Sequence, residues 1–172
     1  DEPKWYAIYT MYKSEKQVAI HLQKKNIETY LPLLSRTKRY KRKIKKYQIP
    51  LINCYVFVKI SRLDQVKVLE TEHVLKFIRI GKELNAIPQE ELDILRRIEG
   101  FDLEIETLPC TFEVGDEVEI NKGTLAGIKG KLVTKLGKKQ FVVEIDSIGV
   151  SLQLNIDISM LQKKRSIKAL TA

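Results

Sequence analysis

The stretch PLINCYVFVKIS, residues 50–61, carries the strongest folding signal in the N-terminal half of this chain. From Cys54 to Ile60, every residue except Lys59 is apolar or aromatic, so both faces of an extended segment would be apolar. A strand that is buried on both faces gives such a continuous run, whereas a half-exposed strand alternates with polar residues. We therefore predict a central strand here, with packed elements on either side.

The flanking segments predict an α+β domain around that strand. KWYAIYT (4–10) is aromatic and β-branched, which is typical of a strand. Ser14 and Gln17 have capping-box spacing and predict a helix over 15–25, and Pro88 predicts the start of another helix. Further elements are predicted as an extended segment over 27–34, a helix within 63–72 and a strand over 74–80. The resulting order β-α-β-β-α-β-α has the rhythm of a split βαβ sandwich.

The C-terminal part predicts a separate, all-β domain. Residues 113–161 contain apolar residues that alternate with polar ones, as at Val118 and Ile120, and glycines punctuate them. About five short strands in so few residues favour a small SH3-like barrel. The predicted boundaries are 1–100 for the first domain, 101–112 for a linker, 113–164 for the barrel and 165–172 for a tail.

Composition limits the class of protein. The formal net charge is +9, and it lies entirely in residues 1–100, which hold 21 Lys and Arg against 12 Asp and Glu, whereas residues 101–172 hold 10 of each kind. Such an excess favours a polyanionic partner. Cys54 and Cys110 lack metal or disulfide-scaffold spacing, and no apolar run of about 20 residues occurs. We expect no signal peptide. We expect a cytoplasmic protein without cofactor, and no catalytic set predicts an enzyme.

The densest positive charge lies in RTKRYKRKIKK, residues 36–46, which has eight basic residues and no acid. Such a run is typical of a loosely held loop, and a solvated loop, a membrane surface and a nucleic-acid partner are the alternatives. Nucleic acid is favoured because Lys and Arg neutralise phosphates, and Tyr40 and Tyr47 can stack on unpaired bases. A membrane segment would need more apolar surface beside the charge.

Separated motifs then point to one family. The pattern Val118-x-Ile120-x-x-Gly123-x-x-x-Gly127-x-x-Gly130 resembles the KOW motif. Together with KWYAIYT, PLINCYVFV and VLKFIRIG…IPQEELDILRRI, it makes the whole chain resemble the NusG family of transcription elongation factors. The resemblance implies an NGN domain, an antiparallel sheet with three helices, followed by an SH3-like KOW barrel. YLPLL is closer to the specialised RfaH and UpxY paralogues. The chain departs from the family at Asn53-Cys54, where Pro-Gly or Pro-Asn is usual.

The resemblance also implies binding sites. It implies an apolar patch that binds the clamp helices of the RNA polymerase β′ subunit, formed by Trp5, Tyr9, Leu51, Ile52, Phe57, Ile80 and Leu95. It implies contact with DNA near the transcription bubble, including the non-template strand, through Met11, Tyr12, Lys13, Lys16, Gln17 and His21. The basic run would add an electrostatic contact through Arg36, Lys38, Arg39, Lys41, Arg42, Lys43, Lys45 and Lys46.

The implied function is transcription elongation and antitermination by a monomer, with a ribosomal protein or the termination factor Rho as partner of the KOW domain. Two alternatives remain on sequence grounds. The first is a ribosome-associated or RNA-binding protein, because KOW barrels also occur in ribosomal proteins. The second is a DNA-binding repressor, although no helix-turn-helix pattern is present in the sequence.

Overall fold

The computed structural model describes residues 1–99, 105–109, 115–135, 138–156 and 160–163. They fall into two compact units, one within Asp1–Asp102 and Ile145–Gly149 and the other within Leu103–Glu144 and Val150–Ala172. Each unit is described separately below.

The first unit contains a four-stranded antiparallel sheet and three α-helices. In chain order its elements are β1 (Lys4–Thr10), α1 (Glu15–Lys24), β2 (Glu28–Tyr30), β3 (Leu33–Tyr40), β4 (Lys43–Pro50), β5 (Tyr55–Ile60), α2 (Gln65–Leu69), β6 (Val74–Phe77) and α3 (Gln89–Glu99). The sheet has the order β2-β5-β1-β6. The predicted α+β architecture of the N-terminal part is confirmed.

β5 is the central strand that its sequence predicts. It pairs with β1 on one side and β2 on the other. Val56, Val58 and Ile60 join a buried cluster that includes residues of α1 and α2. Phe57 points to the opposite face and is also fully buried. Alternate side chains of a strand point to opposite faces, so this burial on both sides is what a continuous apolar run favours.

α1 begins at Glu15, but the Ser14 side chain makes no capping hydrogen bond to it, so the capping-box prediction is wrong.

A buried carboxylate holds the turn that leads into β5. The Glu15 carboxylate accepts a 2.8 Å hydrogen bond from the backbone N–H of Cys54. Cys54, rather than Asn53, has a positive φ of 65°. The hydrogen bond helps to hold a conformation that costs an L-residue about 1–2 kcal/mol.

The basic run is not a loop. β3 and β4 pair along their full lengths, from Leu33 opposite Pro50 to Tyr40 opposite Lys43, with a turn at Lys41 and Arg42. They form a separate two-stranded sheet. Backbone pairing therefore orders a segment whose side chains repel one another, and we call residues 33–50 the basic hairpin.

The C-terminal half is a sheet with the order β12-β8-β9-β10-β11-β7. Its strands are β7 (Ile105–Pro109), β8 (Asp116–Ile120), β9 (Lys129–Lys135), β10 (Lys138–Ile145), β11 (Val150–Leu154) and β12 (Leu161–Lys163). β7 lies inside the segment 101–112 that the sequence predicts as a linker, and it pairs with β11. The rest of that segment, Cys110 and the predicted tail lie outside the described residues.

Candidate functional site

The basic hairpin presents most of its charge to solvent. All residues from Thr37 to Ile49 are exposed, including seven of the eight predicted cations, and Arg36 is half-buried. No acidic residue occurs between Leu33 and Pro50. Lys38 and Lys45 lie directly opposite each other across the strands, and such like-charge pairs destabilise a sheet. A polyanion would relieve this repulsion.

The start of α1 lies beside the hairpin. The Lys16 ammonium donates a hydrogen bond to the backbone carbonyl of Gln48 in β4. Tyr12 is 67% exposed, and Met11, Lys13 and Gln17 are also exposed, whereas His21 is half-buried. The contact through Lys16 thus brings together the two segments for which the sequence predicts nucleic-acid contact.

His73 is a neighbour of this region that sequence reasoning missed. Its ring Nδ1 lies 3.3 Å from the Met11 sulfur, and its carbonyl accepts the Met11 N–H at 2.9 Å. The two residues are 62 positions apart in the chain, so no local pattern indicates the pair. The residue could be found only through the pairing of β1 with β6.

An aromatic pair lies at one end of the central strands. Tyr9 of β1 and Tyr55 of β5 are cross-strand partners, with ring centroids 5.8 Å apart in an edge-to-face arrangement. Both are half-buried, and the Lys76 ammonium lies 5.8 Å from the Tyr9 ring centroid. Sequence reasoning found Tyr9 but missed Tyr55, although strand pairing of the two segments could have indicated it.

The pair is electrically neutral at ordinary pH. The pKa of Tyr9 is raised, first by charge interaction with the Cys54 thiol and then by a hydrogen bond to it. Burial raises the pKa of the Cys54 thiol, and the charge of Glu15 raises it further. The pKa of Tyr55 is raised mainly by burial. This end of the sheet therefore offers aromatic rings and neutral hydroxyl groups to a partner.

The other predicted polymerase-binding residues differ in accessibility. Ile80 is 45% exposed, whereas Trp5 is 7% exposed. Four more are at most 4% exposed and offer a partner almost no surface as the chain is folded: Leu51, Ile52, Phe57 and Leu95. Their role in binding stays a prediction, and it requires that they become accessible.

The glycines of the C-terminal half adopt backbone conformations and allow contacts that a side chain would disfavour. Gly123 and Gly127 have positive φ angles of 79° and 90° in the turn between β8 and β9. Gly130 lies in β9, beside β10 in the sheet, and a Cβ atom there would overlap the Val142 carbonyl oxygen and lie 2.7 Å from Cζ of Phe141. Val118 and Ile120, which precede the turn, are buried. Two glycines of the pattern thus have positive φ angles, and the third allows a close approach between neighbouring strands.

Within the described part of the chain, no group of three or more His, Cys, Asp or Glu side chains could hold a metal ion. Nor is any helix in that part long and apolar enough to cross a membrane.

Comparison with known proteins identifies the class. A three-helix α+β unit with an exposed basic hairpin, followed by an antiparallel sheet, defines a two-part protein suited to macromolecular partners. The family model "NusG: Transcription termination factor nusG" matches residues 3–96. The chain therefore belongs to the NusG family, whose members are transcription factors with a general role in elongation.

A solved structure adds a likeness in fold. A structure described as "Domain interaction in Thermotoga maritima NusG" aligns with a TM-score of 0.59 at 20% identity, over 95% of this chain and 98% of that one. A crystal structure of the MjSpt4:Spt5 complex aligns over 93% of this chain and 97% of that chain, with 17% identity and a TM-score of 0.33. The comparison with curated proteins gave no match.

Proposed function

We propose that this chain is a transcription elongation and antitermination factor that binds RNA polymerase through residues 1–100. The observation that carries the proposal is the Tyr9–Tyr55 pair, an accessible aromatic surface on the unit that matches the family model. Tyrosine is a frequent anchor of protein interfaces because it combines apolar area with a polar tip. The proposed partner is the pair of clamp helices of the polymerase β′ subunit.

The proposed contact is helix-in-groove recognition. An amphipathic helical tip can place its apolar face against the aromatic rings. The exposed Ile80 is proposed as a separate contact of the same partner. A more extensive contact with the clamp helices would require a rearrangement that exposes four further residues, which are Leu51, Ile52, Phe57 and Leu95. A factor that binds the closed clamp more tightly than the open one shifts the polymerase toward its elongating state, so pausing becomes rarer.

The basic hairpin supplies the second proposed contact. Its cations would neutralise phosphates of DNA near the transcription bubble, which gives affinity without sequence preference. The adjacent start of α1, with Tyr12, Lys13 and Gln17, would contact the non-template strand. Since Lys16 joins the two segments, one nucleic-acid strand could contact both.

The C-terminal half is proposed to be an SH3-like KOW barrel over 113–164 that recruits a second protein. The glycine turn geometry supports the KOW assignment. The equal numbers of acidic and basic residues in 101–172 suit a protein partner better than a polyanion. A ribosomal protein or the termination factor Rho is the proposed class of partner.

Binding of purified RNA polymerase elongation complexes by variant proteins tests the polymerase contact. Tyr9→Ala combined with Ile80→Glu should weaken binding at least tenfold, because it removes an anchor and places a charge on the surface. Leu63→Glu is the matched control, since Leu63 is 87% exposed and lies outside the proposed patch. Equal binding by the two variants would assign the contact to another surface.

An RNA-binding or ribosome-associated role is the second candidate, and the hairpin favours it because phosphates of rRNA would serve equally well. Co-sedimentation with ribosomal subunits, compared with RNA polymerase at the same ionic strength, separates the candidates. Association with subunits and not with polymerase would place the RNA-binding role first.

A further inference from the structure

The pairing register of the basic hairpin sorts its side chains into two chemically different faces. Directly opposed residues of an antiparallel pair lie on the same face, and neighbours along a strand alternate. The pairs Arg36 with Tyr47, Lys38 with Lys45 and Tyr40 with Lys43 therefore share one face. We call these six residues the tyrosine face.

The opposite face has less charge and no aromatic ring. Its pairs are Ser35 with Gln48, Thr37 with Lys46 and Arg39 with Ile44. It carries two cations, against four on the tyrosine face, and Lys41 and Arg42 occupy the turn. The sequence places both tyrosines and half of the cations on one side of the hairpin.

The tyrosine face alternates rings and cations along its length. Each tyrosine has a cation as its cross-strand partner, and the Lys38–Lys45 pair lies between the two tyrosines. The Lys38 ammonium lies 5.3 Å from the Tyr40 ring centroid. Tyr40 and Tyr47 are 50% and 40% exposed, so both rings have free surface. Leu34, which is 2% exposed, anchors the base of this face.

The spacing suits a short run of nucleotides. Tyr47 lies four residues along β4 from Lys43, the partner of Tyr40, which corresponds to about 13 Å of strand. A stacked nucleic-acid strand advances about 3.4 Å per nucleotide, so the distance spans about four nucleotides. Bases can stack on the two rings while phosphates between them meet Lys38 and Lys45.

We propose that the tyrosine face of the basic hairpin binds single-stranded nucleic acid by base stacking. This inference rests on the proposed function, because it names the form of nucleic acid that the hairpin contacts near the polymerase. Platforms for single strands combine cationic grooves with aromatic rings, since every base has a stacking face. In a duplex the bases are already stacked inside, so the tyrosines would add nothing and both hairpin faces would act through charge alone.

Charge-matched variants of the full chain test the proposal. Lys38→Ala with Lys45→Ala removes two cations from the tyrosine face, and Arg39→Ala with Lys46→Ala removes two from the opposite face. Binding to oligothymidylate of about 12 nucleotides is measured by fluorescence anisotropy over a salt series. The slope of log K against log salt concentration should decrease in magnitude by about 1.4 with the first pair of changes and stay the same with the second pair. An equal loss with both pairs would overturn the face assignment.

The stacking step has its own variants. Tyr40→Ala and Tyr47→Ala should each weaken oligothymidylate binding about tenfold, whereas Tyr40→Phe and Tyr47→Phe should retain it because the ring remains. Binding of a duplex of equal length should be unaffected by all four changes. Unchanged single-strand affinity in the Ala variants, or equal Tyr dependence with the duplex, would overturn the proposal.

The outcome is separable from that of the polymerase contact. Wild-type chain and Tyr40→Ala are compared for binding to RNA polymerase without nucleic acid, where the proposal expects equal affinity. If the wild-type chain and Tyr40→Ala bind the oligonucleotide equally well while both bind polymerase, the tyrosine-face site alone is rejected. Oligonucleotide binding that follows the tyrosines, with no polymerase binding at all, rejects the proposed function and retains the site.

Discussion

β5 and the basic hairpin are both antiparallel β-structure within one unit, yet different interactions stabilise them. β5 has apolar side chains buried on both faces, whereas the hairpin from Thr37 to Ile49 is wholly exposed and cationic. Burial of apolar area stabilises β5 by roughly 1.5–3 kcal/mol for each large side chain. The hairpin has backbone pairing, the hydrogen bond from Lys16 to Gln48 and its buried base to oppose repulsion. The first region therefore contributes stability, and the second has the exposed charge that the proposed nucleic-acid contact requires.

The largest expected difference between the two regions is in the cost of truncation. Phe57→Ala in β5 should lower the free energy of unfolding by about 3–5 kcal/mol because it leaves a cavity at a fully buried site. Ile44→Ala in the hairpin, at a 62% exposed site, should change it by less than about 0.5 kcal/mol. Urea unfolding followed by the fluorescence of Trp5, the only tryptophan, measures both. Similar losses would refute the contrast.

The turn before β5 should depend on a buried carboxylate. Glu15→Ala removes the acceptor of the Cys54 N–H at a buried site, and an orphaned buried donor costs about 1–3 kcal/mol. The same Trp5-monitored unfolding measures the loss. Glu15→Gln is the matched control, because its side-chain oxygen can still accept the bond. A smaller loss with Ala than with Gln would contradict the role of Glu15.

The edge of the sheet beside the hairpin should show pH-dependent stability. The Tyr30 hydroxyl donates a 2.8 Å hydrogen bond to Glu99 of α3, and Glu99 also accepts the Leu33 N–H at 3.0 Å. Burial, followed by the interaction with Glu99, raises the pKa of Tyr30. Tyr30→Phe should therefore cost about 1–2 kcal/mol at neutral pH.

The sign of the pH effect follows from that shift. Because the folded-state pKa lies above the unfolded value near 10, this contribution is fully present below pH 10 and is lost as the pH rises further. Tyr30→Phe should thus flatten the decline in unfolding free energy above pH 10, which denaturant titrations at several pH values can measure. An unchanged alkaline decline would show that other groups cause it.

The smallest effect should have the opposite sign in the hairpin. Lys38→Ala with Lys45→Ala removes a directly opposed like-charge pair, so hairpin stability should rise by a few tenths of a kcal/mol at low salt. Hydrogen exchange of the β3 and β4 amides measures it. Arg39→Ala with Lys46→Ala, which opposes no like charges directly, is the control and should change exchange less. Faster exchange in the first variant would mean that the lysines stabilise the hairpin.

Sequence patterns predict the sheet-and-helix unit well because periodicity and apolar runs record burial directly. They fail at the hairpin, where charge repulsion predicts a loop but cross-strand hydrogen bonds, invisible in a local pattern, order the chain. They also fail at Cys54, whose left-handed backbone depends on Glu15, 39 positions away. At the candidate site, sequence cannot separate accessible Tyr9 and Ile80 from buried Phe57, because all three are apolar or aromatic in similar surroundings.

Binding to RNA polymerase elongation complexes, assembled with and without an exposed non-template strand, is the most direct test of the proposed elongation role. We predict binding that requires polymerase, that tightens when the strand is exposed, and that shortens pauses during transcription. Salt should weaken the strand-dependent part, because the hairpin cations carry it. Failure to bind polymerase under low-salt conditions, with the fold intact, would contradict that role.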